Sequence, residues 1–98
     1  GITACYSTAD IDKATINQIL MPLGHTLWLE DETQMDAVTA LSGSGPGYLF
    51  YVTQALIEAG VAVGLSKDIS EHLARQTMIG TAAVLKAQPD TSPTALRE

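Results

Sequence analysis

From Asp36 to Ser66 the chain reads DAVTALSGSGPGYLFYVTQALIEAGVAVGLS, and Glu58 is the only charge between Asp36 and Lys67. About eight helical turns with so little charge require burial against something. The segment Ser42-Gly43-Ser44-Gly45-Pro46-Gly47 interrupts the run, because three glycines lower the cost of positive φ and Pro46 withdraws an N–H. A tight turn is expected there. Beyond it, Tyr48 to Gly64 carries Leu, Val, Phe, Ala and Ile on every side, and Pro46 suits the first turn of a long helix.

The remaining chain divides at the acidic break Glu30-Asp31-Glu32. Before it, residues 2–7 and 25–30 read as strands, with a helix from Ile11 to about Met21 capped by Asp10 or Thr8 and stopped by Pro22 and Gly24. Strand, helix, strand over some thirty residues has the size of one βαβ unit, which by itself makes no stable sheet. The first thirty-odd residues are therefore expected to be the edge of a larger nucleotide-binding domain.

After the break the pattern is helical. Met35, Val38 and Leu41 lie on one face of a short helix, and Ser66 offers an N-cap for a helix from Lys67 to about Ala87 with Asp68 in its first turn. Ile69, Leu73, Gln76, Gly80 and Val84 line one side of that helix; Ala74, Met78, Ala82 and Leu85 widen it. Ser92-Pro93 opens a further helix. The predicted fold is mainly α: a helical domain over 33–98, preceded over 1–32 by a strand-helix-strand remnant of a Rossmann-type α/β domain.

Composition narrows the partners. With 5 Lys+Arg against 11 Asp+Glu, a net charge of -6 argues against nucleic acid and anionic membrane surfaces. A single cysteine, Cys5, excludes an internal disulfide and any CxxC metal site, which fits a reducing, cytoplasmic location. The apolar run to Leu65 nears membrane-spanning length, but Thr53, Gln54 and Glu58 interrupt it and no basic flank precedes it.

Few side chains suggest chemistry by pattern. Neither Ser42 nor Ser44 has a histidine partner suggested by sequence, and His25 and His72 lack ligand-spaced companions, so neither a nucleophilic triad nor a metal site is expected. A phosphate loop at Ser42–Pro46 is disfavoured by order: a dinucleotide fingerprint closes a strand and opens a crossover helix, whereas this turn joins two helices and lacks the third glycine. Trp28 is expected in a core. A helix apolar all round, followed by one with the small residues Gly80, Thr81, Ala82 and Ala83, exceeds what a 98-residue monomer can cover, so a partner chain is expected.

The motif DAVTALSGSGP at 36–46, with Tyr48, Ala55-Leu56, Ala59-Gly60-Val61, Gly64-Leu65, Ala74, Gln76-Thr77, Gly80 and Ala82-Ala83, resembles the helical C-terminal domain of pyrroline-5-carboxylate reductases over about two thirds of the chain. Gly47 departs from the family's more frequent Ala. The resemblance implies hydride transfer from NADPH or NADH to the C=N bond of 1-pyrroline-5-carboxylate, giving L-proline, in a dimer or larger homo-oligomer. It places the turn Ser42, Gly43, Ser44, Gly45 against the active-site cleft and Asp90 toward the substrate amine. The dimer interface expected from it and from the apolar helices comprises Tyr48, Phe50, Tyr51, Leu56, Leu73 and Gly80.

No residue of the chain is assigned as catalytic, as a metal ligand or to the cofactor. The family's glycine-rich fingerprint belongs upstream of this sequence and its substrate-carboxylate loop just beyond Glu98, so a middle part of the enzyme, inactive alone, is expected. Two other readings stay open: a non-catalytic helical assembly module, and the helical domain of another dehydrogenase acting on a hydroxy acid or sugar acid.

Overall fold

The β-branched and small residues at the start form strand β1 (Ile2–Cys5), which pairs in parallel with β2 (His25–Trp28), Ile2 opposite His25 and Cys5 opposite Trp28. Helix α1 (Lys13–Leu20) and a 3-10 turn at Met21–Leu23 make the crossover. In this computed structural model, which describes all 98 residues, contacts divide the chain into two units, Gly1–Pro46 and Gly47–Glu98.

The strand-helix-strand predicted from sequence is present in the first unit, with three corrections. Both strands are shorter than expected. After Cys5 the chain is bent by Ser7, whose hydroxyl accepts the Ala9 N–H at 3.1 Å, and after Trp28 Asp31 accepts the Thr33 N–H at 2.9 Å. The cap of α1 is neither Asp10 nor Thr8 but Asp12, whose carboxylate accepts the Thr15 N–H at 3.2 Å and the Thr15 hydroxyl at 2.6 Å. Thr15, three residues on, supplies both donors, which decides the cap.

Those bonds from Thr15 hold the Asp12 carboxyl below its ordinary value of 3.8. A lowered folded-state value means that the stabilisation is complete above pH 3.8 and is lost as pH falls through the folded value. Melting curves over pH 2.5–7 are expected to show an acid-side loss of stability in the native protein that is smaller in Asp12→Asn; identical acid limbs would refute the cap.

The sheet alternates with the period of two that strands impose. On one face Trp28 meets α1: its indole N–H donates to Asn17 Oδ1 at 2.7 Å, and Lys13 Nζ lies 5.1 Å from the ring centroid. Trp28 is half-buried under these two polar side chains and is not the core residue expected. On the other face Ile2, Ala4 and Leu27 look across a cavity of about 120 Å³ at Val38, Leu41 and Ser42.

The expected tight turn does not form. Helix α2 (Gln34–Val38) continues into one turn of π-helix at Thr39–Gly43, Ser44 follows with φ -92° and ψ -12°, and α3 (Gly45–Ala62) begins at once. The Ser44 N–H reaches back five residues to the Thr39 carbonyl at 3.0 Å, so one surplus residue is absorbed without leaving right-handed helical space. Positive φ occurs only at Gly24 and Gly64. Pro46 sits where a missing N–H costs nothing.

In the second unit α3 ends at Ala62, two residues earlier than expected. Leu65 N–H donates to the Gly60 carbonyl and Gly64 N–H to that of Val61, at 3.0 and 3.1 Å, with Gly64 at φ 111°: the Schellman pattern. Gly64 thus terminates the helix. Helix α4 (Lys67–Ala87) opens on the predicted cap, Ser66 Oγ accepting the Ile69 N–H at 3.3 Å, and α5 (Pro93–Arg97) opens on Ser92 in the same way at 3.1 Å.

Helices α3 and α4 meet at one place. Ser70 Oγ donates to the Ile57 carbonyl at 2.7 Å, and a Cβ on Gly60 would stand 3.0 Å from Ser70 Cβ and nearer still to its Oγ. Ser70 and Ala74, 3% and 5% exposed, are the only buried residues of the chain. Of the side of α4 expected to be covered, Ala74 is buried, but Ile69 and Leu73 are each half-exposed. Small residues allow the backbones close together, and the larger apolar ones, Leu56 and Leu73 among them, border the crossing without being covered.

Candidate functional site

Two features stand out, each within one unit: the π-turn and the uncovered helical surface. The π-turn is built from sequence upward. Thr39 and Ser42 return their hydroxyls to carbonyls four residues back, Thr39 to Met35 and Ser42 to Val38, each at 3.0 Å. The same bond four residues back forms within the α-helices at Thr53, Thr77 and Thr81, each at 2.7 Å. Ser42 is half-buried beside the sheet cavity, whereas Gly43 and Ser44 are exposed.

The first four positions of α3 are Gly45, Pro46, Gly47 and Tyr48. The N–H groups of Gly45 and Gly47 therefore precede the first intrahelical bond of α3, and Pro46 has none. A Cβ on Gly45 or Gly47 would meet nothing within 4 Å, and one on Gly43 would make only ordinary contact with Thr39. The bare surface left by these glycines lets another group approach the backbone closely. This arrangement can orient a ligand through N–H and hydroxyl groups.

Asp90 lies exposed in the turn between α4 and α5, where Thr91 N–H closes onto the Gln88 carbonyl at 3.2 Å. Cys5 is a free, half-buried thiol at the end of β1. No group of three His, Cys, Asp or Glu residues is arranged to hold a metal ion. No helix is long and apolar enough to cross a membrane.

The helical surface is the larger feature. Tyr48, Phe50 and Tyr51 are exposed to 60%, 73% and 78%. They do not share one patch: Phe50 joins Thr53, Gln54, Ile57 and Arg75 around one groove, while Leu56 and Leu73 come together around another at the Gly60–Ser70 crossing. Gly80 is exposed, with open space where a Cβ would stand. A further apolar groove lies between the end of α4 and α5. Periodicity could not reveal how few of these residues the chain covers, since a helix apolar on all sides has no preferred face.

Area makes the point quantitative. The chain exposes 7868 Å². Two separate compact bodies, each of half its 10.3 kDa mass, would together expose about 6,500 Å². A surplus above about 1,000 Å² is the size of a specific protein interface.

Comparison with known proteins bears on both features. A family model described as pyrroline-5-carboxylate reductase dimerisation matches residues 32–98. A pyrroline-5-carboxylate reductase of Pseudomonas aeruginosa is 41% identical over 99% of this chain and 36% of its own length, and one of Haemophilus influenzae is 34% identical over 100% of this chain and 36% of its own. Among solved structures, a pyrroline-5-carboxylate reductase of Coxiella burnetii superposes with a TM-score of 0.86 at 34% identity, covering 98% of this chain and 36% of that one. A pyrroline carboxylate reductase of Plasmodium falciparum with NADP bound does so at 0.70 and 30%, covering 93% and 43%. The chain thus spans about a third of the length of the first two relatives.

Proposed function

The chain belongs to the pyrroline-5-carboxylate reductase family, and from that premise we propose that it supplies the helical assembly domain, and the edge of the cofactor domain, of an NAD(P)H-dependent reductase. The domain boundary is placed between residues 32 and 33. The reaction is hydride transfer from the nicotinamide to the C=N carbon of 1-pyrroline-5-carboxylate, giving L-proline. The cofactor supplies the hydride. The NADP bound by the Plasmodium falciparum relative supports a nicotinamide nucleotide.

The share of this chain is orientation. The turn Ser42, Gly43, Ser44, Gly45 faces the cleft, its bare glycine surface and the N–H groups that follow holding reactants in place. Asp90 stands toward the substrate amine. A partner copy covers Tyr48, Phe50, Tyr51, Leu56, Leu73 and Gly80. The observation that carries this reading is the exposure of the large apolar residues of α3, in a segment whose family model is a dimerisation domain. The enzyme is cytoplasmic, in keeping with a single free thiol.

Two measurements test the reading. Light scattering of the 98-residue chain is expected to give a dimer or larger species; a stable monomer of 10.3 kDa would refute the assembly role. Substituting these residues for the matching segment of the Pseudomonas aeruginosa reductase is expected to preserve NAD(P)H oxidation that depends on 1-pyrroline-5-carboxylate, while the 98 residues alone give none. A folded chimera that binds NADPH but does not reduce the imine would refute the reductase role and favour an assembly module.

A further inference from the structure

Helices α3 and α4 come together around Gly60 and Ser70, and the front half of α3 and the back half of α4 are both left largely uncovered. The two uncovered surfaces differ in form. On α3, Phe50 turns to its own groove beside Arg75 of α4. Tyr48 lies about 200° around the helix from Phe50 and shares a face with Tyr51, three residues on. These two rings form a ridge directed away from α4, exposed to 60% and 78%. The back of α4 is hollow instead: Thr81, Val84 and Leu85, with Pro93, Leu96 and Arg97 of α5, line a cavity of about 400 Å³. An apolar cavity of about 150 Å³ already holds benzene, so this groove has room for two aromatic rings. Its polar groups do not oppose them. The Thr81 hydroxyl is spent on the Thr77 carbonyl at 2.7 Å, and the chain's one ion pair joins Arg75 to Glu71, which leaves the Arg97 guanidinium free to lie on a tyrosine face.

We propose that the groove between α4 and α5 of one copy receives Tyr48 and Tyr51 of a second copy, and that the exchange is reciprocal, each copy giving its tyrosines and its groove. The inference rests on the assembly role proposed above and names the surfaces that meet. Three observations select a second copy as the occupant. The family model for dimerisation spans residues 32–98, which include both ridge and groove. The area exposed beyond that of two compact bodies is the size of a specific interface. The only charge on α3, Glu58, is bonded by Gln54 at 3.0 Å, so its tyrosine ridge calls for an apolar receptor, and the groove is apolar except at Arg97. A twofold axis covers ridge and groove of both copies at once and leaves neither open to a third.

The test uses two variants of the 98-residue chain, Tyr51→Lys and Leu85→Asp, at positions 78% and 48% exposed, where little packing within the chain is lost. In a homodimer of either variant both reciprocal contacts are broken. At about sixfold for each contact, the Kd measured by sedimentation is expected to rise about thirtyfold. Mixed in equal amounts, the two variants are expected to form a heterodimer, because one of its contacts is unsubstituted and the other joins opposite charges. Its Kd is expected to lie within about sixfold of that of the original chain. Should either charge unfold the chain, Tyr51→Cys and Leu85→Cys, each combined with Cys5→Ser, decide the matter: a short bis-maleimide is expected to link the two in mixture and neither alone.

Variants that dimerise as tightly as the original chain would overturn the docking and leave the assembly role standing. Weakened variants that mixing does not restore would overturn it as well, as would cross-links formed equally by one cysteine variant alone. A chain that is monomeric before any substitution overturns the assembly role, and the docking with it.

Discussion

Replacing Phe50 and Tyr51 together by aspartate is expected to convert the assembled 98-residue chain into a monomer. Both side chains are more than 70% exposed, so the change removes little packing within the chain itself. In an interface the same carboxylates would have to lose their water, and truncating a buried aromatic anchor alone costs about 2 kcal/mol or more. Two such losses plus desolvation of charge weaken association by at least about a thousandfold. Light scattering and sedimentation are expected to report 10.3 kDa, half the mass of a dimer, with the circular dichroism of the helices largely kept. A double variant that stays dimeric would show that α3 does not carry the interface. One that unfolds at every concentration would show that folding and assembly are inseparable here.

Gly60→Ala is expected to be the most damaging single methyl in the second unit. Alanine ordinarily gains about 1 kcal/mol over glycine inside a helix. At this position the new Cβ would stand 3.0 Å from Ser70 Cβ and collide with its hydroxyl, which is committed to the Ile57 carbonyl. Overpacking costs about 1–3 kcal/mol, and losing the buried hydrogen bond about 1 kcal/mol more. The net expectation is a destabilisation of about 1–3 kcal/mol, against a gain of about 0.5–1 kcal/mol for Gly47→Ala, where a Cβ meets nothing. Denaturant melts of the two variants are expected to move in opposite directions. Adding Ser70→Gly to Gly60→Ala is expected to recover part of the loss; strict additivity of the two changes would disprove the collision.

The same two helices show what periodicity could and could not reveal. Helix α4 begins and ends where its sequence predicts, because Ser66 and the residue three positions on settle the cap between themselves. Its packed side is another matter. The stripe from Ile69 through Leu73 to Val84 is the side a hydrophobic pattern favours, yet the buried residues are Ala74, at the margin of that side, and the polar Ser70. A crossing helix with a glycine at position 60 rewards small side chains opposite it, and the choice depends on a residue ten positions away in the chain. Family kinship was legible in DAVTALSGSGP, but the distinct surroundings of Ser42 and Ser44 were not, since both serines flank Gly43 in the same glycine-rich motif.

The sequence by itself determined the helices, their caps at Ser66 and Ser92, the stop at Gly64 and the parallel strand-helix-strand at the start, because each is decided by groups within a few residues of one another. Only the tertiary structure decided that the glycine-rich segment stays helical as a π-turn and that Ser42 lies on the sheet side. It likewise decided that α3 and α4 touch through Gly60, Ser70 and Ala74 while their aromatic and branched residues remain uncovered. Burial is a property of pairs of surfaces, and a one-dimensional pattern records which residues avoid water without recording which surface will meet them.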